Sequence, residues 1–366
     1  MLSKQLSRKE YKANVLVPNF TDLNPFFEEI VRHSRTTKYV FGNLDDDVSF
    51  YDAVLIHWPE LLFKRKEPSL AQIEDLNQTL KKWKKTTKIV HVIHNNHPHN
   101  RNTNNFKKLY ECVLQASDVI VHLGYYSKSI FEKKNPKAKH IVIEHSLYAT
   151  SMKHYDKSLA RKKLGIKTSK FVIIVPGKIR TLEERKLVLS SFEKLKIKEK
   201  LLLVPRMFPL KIKPFKGYYK LRKILPIDKI YSYFANKEYV SSYNFNYSFC
   251  SNEQLSLLAS SADVIFIPRL NNLNSGNTFL GLTFKKLIVG PNNGNTAEFL
   301  KRHKMIKYDV SNLNTIPIKL QDSHKYYQDF KITENEIRYL HPKQIAFKWD
   351  ELFKSINKLS NINSNK

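Results

Sequence analysis

The chain has 366 residues, with 63 Lys and Arg against 33 Asp and Glu and a formal net charge of +30. Its length excludes a small stapled module and predicts about two domains; its two cysteines, Cys112 and Cys250, exclude a disulfide framework and fit a reducing cytosol. No run approaches the roughly 20 apolar residues that span a bilayer, since FVIIVPG and LLLVP are strand-length. The opening MLSKQLSRKEYKANVLVPNF breaks its apolar content with charges, so no secretory signal is expected. A surface this basic attracts polyanions: nucleic acid, anionic lipid headgroups or a phosphate-bearing small substrate. The joint abundance of Lys, Asn, Ile and Tyr is also what AT-rich coding sequence produces, so charge alone selects none of them.

In chain order, the first half offers the strands NVLVP, DAVLIHWP, KIVHVIHN, DVIVHLG and HIVIEHS. Between two of them, NNFKKLYECVLQAS puts Phe106, Leu109, Tyr110 and Val113 on one helical face. Strands alternating with such helices predict a parallel sheet with crossovers. LDDDVSF, holding Asp45 to Asp47, reads as an acidic turn rather than a metal motif. After a polar join from about Tyr148 to Ser169 the pattern restarts with KFVIIVPG, LLLVP, VIFIP, LIVGP and MIKYDV, separated by LEERKLVLSSFEKL and NEQLSLLASSA. Arg206 to Lys237 is basic and aromatic, which suits either a membrane-surface element or a lysine-coated helix with an aromatic core face. The tail SNINSNK is read as disordered.

Open parallel sheets bind ligands outside the carboxyl ends of their strands, so the loops there are the places for chemistry. In LNSGNTFLGLTF, Ser275, Gly276 and Asn277 lead into a helix whose amide groups and positive end suit a phosphate. PGKIRTLEERK adds Lys178, Arg180, Arg185 and Lys186 from another strand end. Arginine holds phosphate oxygens in a planar fork and lysine supplies a point charge, so together they suggest a diphosphate clamp. The histidine-rich VHVIHNNHPHN admits three uses: metal ligands, a base near neutral pKa, or polar loop residues. His91, alternating with apolar neighbours, is expected to be packed. Zinc wants three or four ligands, and no C-x-x-C or H-x-x-x-H partner is present.

Several elements, taken in order, resemble the GT-B fold glycosyltransferases, specifically the family-4-like group 1 enzymes of bacterial polysaccharide synthesis. NPFFEEI, VLIHWPE, HVIHNNHPHN, ASDVIVHLGYYSKSIF, EHSLY, GKIRTLEERK, LNSGNTFLGLTFKKLIVGPNNGNTAEF and AFKWDELFKSI carry the resemblance over nearly the whole chain. It implies an α/β fold of two Rossmann-like, doubly wound domains facing each other across a cleft. Residues 1–155 would be the acceptor-side domain and 156–340 the nucleotide-sugar-binding domain. Residues 341–366 would form a closing helix returning to the first domain, plus the tail.

The resemblance further implies a hexosyltransferase moving a sugar from a nucleotide-diphosphate-sugar donor to a glycan or lipid-linked acceptor. It places the donor diphosphate at Lys178, Arg180, Arg185, Ser275, Gly276 and Asn277, and the donor sugar or ribose at Asn274 and Glu298. Acceptor contacts would come from His57, Trp58, Glu60, Asn95 and His99, with His94, His97 or Asp22 as the base. No metal and no other cofactor is expected. Partners would be the nucleotide sugar, the acceptor and an anionic membrane surface, with no specific nucleic acid, for a cytoplasmic protein peripheral to the inner face of the cell membrane. The sequence departs from the group where a pair of glutamates eight positions apart is usual: the nearest residues are Asn272 or Asn274 and Leu280. Glu183 and Glu184 also stand where a lysine is usual; the missing glutamates keep a non-catalytic transferase-like protein as an alternative, and the charge keeps a nucleic-acid-binding basic protein as another.

Overall fold

Contacts divide the chain, in a computed structural model that describes residues 11–19, 24–95, 103–210, 217–227, 230–231 and 242–363, into two units. Unit 1 takes Met1–Ala149, Asn272–Asn274 and Glu334–Lys366, and unit 2 takes Thr150–Asn271 and Ser275–Thr333.

Among its described residues unit 1 contains one sheet of six strands: β1 Ala13–Pro18, β2 Thr37–Gly42, β3 Ala53–Ile56, β4 Lys88–Ile93, β5 Val119–His122 and β6 Lys139–Val142. All pair in parallel, in the order β2-β1-β3-β4-β5-β6. β3 is buried along its whole length, which is why it reads as an uninterrupted apolar run. On one face, helix Leu70–Trp83 starts with a capping box of Ser69 and Gln72 and buries Ile73, Leu76, Leu80 and Trp83 at helical spacing. Helix Asn104–Ala116 adds Phe106, Leu109 and Val113 to the same cluster, with Val54, Ile56 and Ile89 from the sheet. The other face is covered by helices Pro25–His33 and Pro342–Asn363, through Phe26, Phe27, Ile30, Ile345, Trp349 and Phe353.

The last helix is tied down by more than apolar contact. Asp350 accepts hydrogen bonds from the backbone N–H groups of Arg35 (2.7 Å) and Thr37 (3.1 Å), and Lys348 pairs with Glu144 at 2.6 Å. A carboxylate taking backbone donors on both of its oxygens, the third from Thr36, fixes the entry of β2 to that helix. The helix continues to Asn363, into the polar tail for which composition suggested disorder, and residues 364–366 lie outside the described residues. In the Asp45–Asp47 turn, Asp46 accepts from Asn43 N and Asp47 from Ser49 N, so both carboxylates cap local backbone.

Unit 2 repeats the plan with β7 Phe171–Ile174, β8 Lys200–Val204, β9 Tyr243–Phe245, β10 Val264–Phe266, β11 Leu287–Pro291 and β12 Ile306–Tyr308. The order is β12-β11-β10-β7-β8-β9, again parallel. Beneath it Asp263 is buried among Arg161, Lys157 and the Val172 N–H, a charge compensated on three sides. β2 and β9 are absent from the sequence expectation, and both are edge strands. β2 buries only Thr37 and leaves its other five positions part-exposed or exposed, and β9 has three residues, so neither shows the apolar run of a central strand.

Each sheet reverses its strand order once, between β1 and β3 in unit 1 and between β7 and β10 in unit 2. The carboxyl ends flanking such a reversal are where doubly wound sheets bind ligands.

Candidate functional site

At the reversal in unit 2, the chain leaves β7 as Val175-Pro176-Gly177-Lys178-Ile179-Arg180 and enters helix Leu182–Glu193, capped by Thr181, whose hydroxyl accepts from Glu184 N at 3.1 Å. Glu184 holds this loop in shape: its Oε2 accepts from Arg180 N at 2.8 Å, and its Oε1 pairs with Arg269 Nη2 at 3.2 Å. Arg269, just beyond β10, also donates from Nη2 to the Lys178 carbonyl at 3.0 Å. Ile179 N donates to the Arg206 carbonyl at 2.9 Å, which brings in the end of β8. Glu184 therefore joins the backbone of Arg180 to the guanidinium of Arg269, and the Arg180 guanidinium lies within electrostatic reach of Glu184, Arg269 and Arg206.

The guanidinium of Arg180 is half-buried and makes no hydrogen bond or ion pair among the described residues. Its pKa is drawn down to about 10, first by burial and then by Arg269, with Glu184 acting against that and Arg206 adding to it. A desolvated cation among other cations and short of acceptors is what an anion-binding site looks like when built from side chains. Helix Gly276–Thr283 starts beside the same loop: a Cβ on Gly177 would lie 2.6 Å from Asn277 Nδ2. So the fold gathers Lys178, Arg180 and the Ser275-Gly276-Asn277 helix start in one unit. Close by in sequence, the buried Thr278 Oγ1, Thr296 Oγ1 and Asn293 Oδ1 have no hydrogen-bond partner among the described residues. Buried polar atoms of this kind are uncommon.

Arg185 is placed differently. It is buried, and its Nη1 donates to the Phe208 carbonyl at 2.7 Å, a packing use within unit 2. Glu298 accepts from Arg302 at 3.0 Å, one turn along its own helix. Asn274 packs in unit 1, where its Nδ2 donates to the carbonyls of His94 (2.8 Å) and Ile93 (3.2 Å). Arg206 and Arg269 are not among the residues the sequence singles out. A signal was present all the same, because each follows a strand and a proline, in LLLVPR and VIFIPR.

In unit 1, His57 follows β3, which flanks the reversal, and His94 follows β4, the next strand in the sheet. His57 Nδ1 and His94 Nε2 lie 3.0 Å apart and share one proton. Trp58 stacks on His94 with ring centroids 3.9 Å apart, and Phe26 meets His94 edge-on at 5.4 Å. His57 packs against Phe27 and is held neutral, its pKa lowered to about 3 by burial first and by His91 second. His91 is buried as expected and likewise falls to about 3. Trp58 and Asn95 are half-buried, whereas His94 is 7% exposed. Glu60 takes a 2.6 Å hydrogen bond from the Tyr110 hydroxyl, and burial raises its pKa. That bond ties the loop to helix Asn104–Ala116. Asp22, His97 and His99 lie outside the described residues. Among the described residues no group of three or more His, Cys, Asp or Glu is arranged to hold a metal ion.

No family model and no curated protein matches the sequence. Solved structures do match. A sucrose-phosphate synthase from Thermosynechococcus elongatus aligns with TM-score 0.62 at 10% identity over 84% of this chain and 74% of that one. A glycosyltransferase from Rickettsia africae aligns with TM-score 0.62 at 14% identity over 95% and 99%. The Anabaena protein HepE, in complex with UDP and glucose, aligns with TM-score 0.56 at 8% identity over 97% and 100%. The fold is therefore GT-B, with two Rossmann-like α/β units.

Proposed function

We propose that this chain, built on the GT-B fold, is a glycosyltransferase that moves a hexosyl group from a nucleoside-diphosphate sugar to a glycan or lipid-linked acceptor. The observation that carries the reading is the half-buried, unpaired guanidinium of Arg180 beside Arg206 and Arg269 at the strand reversal of unit 2. Unit 2 would hold the donor and unit 1 the acceptor. In the transfer, the acceptor oxygen bonds to the anomeric carbon as that carbon's bond to the β-phosphate oxygen breaks, and the electron pair leaves with the diphosphate. Lys178, Arg180 and the amide groups at Gly276 stabilise the charge that develops there, with no metal in the scheme. The acceptor proton passes to His94 or His97, with Asp22 as the other candidate, or to the departing phosphate if configuration is retained. HepE is described with UDP and with glucose, which makes a uracil nucleotide the first donor to test. The deciding experiment is a thermal-shift panel of UDP, GDP, ADP, CMP and their sugar conjugates, followed by turnover with the sugar that binds. A ligand of the folded state raises the melting temperature. Absence of a shift with every nucleotide would remove the proposal, and a shift without turnover would favour the non-catalytic reading that the missing glutamate pair suggests.

A role in surface polysaccharide synthesis and a peripheral hold on anionic lipid belong to the same proposal. What supports the second is helix Tyr218–Ile224, where Lys220, Arg222 and Lys223 are interleaved with exposed Tyr219, Leu221 and Ile224. Among the described residues no helix is long and apolar enough to cross a membrane. Co-sedimentation with vesicles containing phosphatidylglycerol is expected to fall several-fold between 50 and 300 mM salt, roughly as surface charge is screened. Ile224→Asp with Lys223→Glu should abolish it, and equal binding to neutral vesicles would refute the claim.

A further inference from the structure

Arg269 is held in a way that a plain structural ion pair does not require. Among the described residues its Nη2 alone makes hydrogen bonds, to the Lys178 carbonyl at 3.0 Å and to Glu184 Oε1 at 3.2 Å. A guanidinium has five N–H donors in one plane, and anchoring one nitrogen fixes the direction of the rest. No hydrogen bond from its other nitrogens is made among the described residues, and the side chain keeps 25% of its surface exposed. The carboxylate that anchors it cannot neutralise the cluster: its second oxygen is committed to Arg180 N, while the Arg180 guanidinium lies close to both Arg269 and Arg206. One carboxylate against three cations, Arg180, Arg206 and Arg269, leaves room for about the charge that a diphosphate brings. Arg180 and Arg269 also come from β7 and β10, the strands on either side of the reversal.

Resting on the donor site proposed above, we infer that Arg269 is a specificity-determining residue that grips the second phosphate of the nucleotide, with Glu184 as its positioning residue, so that the site selects diphosphates over monophosphates. Arg180 and the Gly276 helix end hold the phosphate that both kinds of nucleotide share. Arg269 adds its remaining donors only when a second phosphate is present.

The test compares UDP with UMP, and GDP with GMP, by titration calorimetry at about 150 mM salt on the full chain. The wild type should prefer the diphosphate by about 10- to 100-fold, the range for a charge-assisted bonded pair. Arg269→Ala should bring that ratio close to one, lowering diphosphate affinity far more than monophosphate affinity. Glu184→Gln should lower the ratio in part, because the anchor loses its charge. Arg206→Ala removes the same charge from the same cluster and should weaken both nucleotides alike, keeping the ratio. If Arg269→Ala fails to fold, Arg269→Lys takes its place: it keeps the charge, loses the planar fork, and should show a reduced ratio. A folded Arg269 variant with the wild-type ratio overturns the inference, as does an equal collapse in Arg206→Ala. Wild-type protein that binds no nucleotide at all overturns the donor site itself, a different result from binding without discrimination.

Discussion

Arg180→Ala is expected to weaken nucleoside-diphosphate binding by about 30- to 150-fold, or about 2–3 kcal/mol, while leaving the unliganded protein as stable as before or slightly more so. Both halves follow from its surroundings. The guanidinium sits half-buried beside Arg269 and Arg206 with no acceptor among the described residues, so in the free protein it costs desolvation and repulsion. A diphosphate removes those costs and supplies the acceptors. Arg180→Lys should recover part of the affinity, since the charge remains but the bidentate geometry does not. Arg185→Ala should do the reverse: it takes a buried donor from the Phe208 carbonyl, lowering stability with little direct effect on affinity. Calorimetry and urea denaturation on the three variants separate the cases. A large loss of stability in Arg180→Ala with unchanged nucleotide affinity would make Arg180 a packing residue and leave the donor site without its centre.

The contrast between Arg180 and Arg185 shows where the sequence stops informing. Both lie in GKIRTLEERK, five residues apart, and both are basic and able to hold phosphate. Whether a helix's first turn points such a side chain at the strand ends or back onto its own unit depends on which carbonyls remain open, and that is set by the β8 connection at Phe208. The central strands were readable because buried parallel strands are apolar throughout, as in AVLI of β3 and FVII of β7. Edge strands β2 and β9 gave no such signal. Arg269 was hidden for a different reason: a single arginine after a strand carries no spacing pattern, and its partner Glu184 is 85 residues away in the chain. His57 and His94 stood in the right loops, but only the structure shows that they bond to each other and that Trp58 covers the pair.

Acidification should unfold this protein well above the pH at which carboxylates titrate. Burial, the first cause in each case, holds His57, His91 and His122 at about 3 and His145 at about 4. Their partners accept the neutral rings. His140 Nε2 donates to the Asn135 carbonyl, leaving its Nδ1 to accept from His122 Nε2 at 2.9 Å; His145 Nδ1 donates to the Ser146 carbonyl at 2.6 Å. The unfolded chain binds protons on these histidines below about pH 6.5 while the native state does not, so their contribution to stability is flat above that pH and falls as pH drops toward 3–4. Each histidine contributes about 1.4 kcal/mol per pH unit, so four lose roughly 5 kcal/mol one unit below 6.5, within the range of a domain's whole stability. Glu60, raised by burial, titrates in the opposite sense, and one carboxyl cannot offset four imidazoles. His91→Leu is the informative variant: His91 Nδ1 is buried with no hydrogen-bond partner among the described residues, so an apolar side chain should be neutral or stabilising at pH 7.5 and should remove about a quarter of the acid slope. Urea midpoints at pH 7.5, 6.5 and 5.5 measure it. A wild-type stability unchanged between pH 7.5 and 5.5 would mean that these rings take up protons without unfolding, and with that the case for neutral imidazoles beside His94 fails.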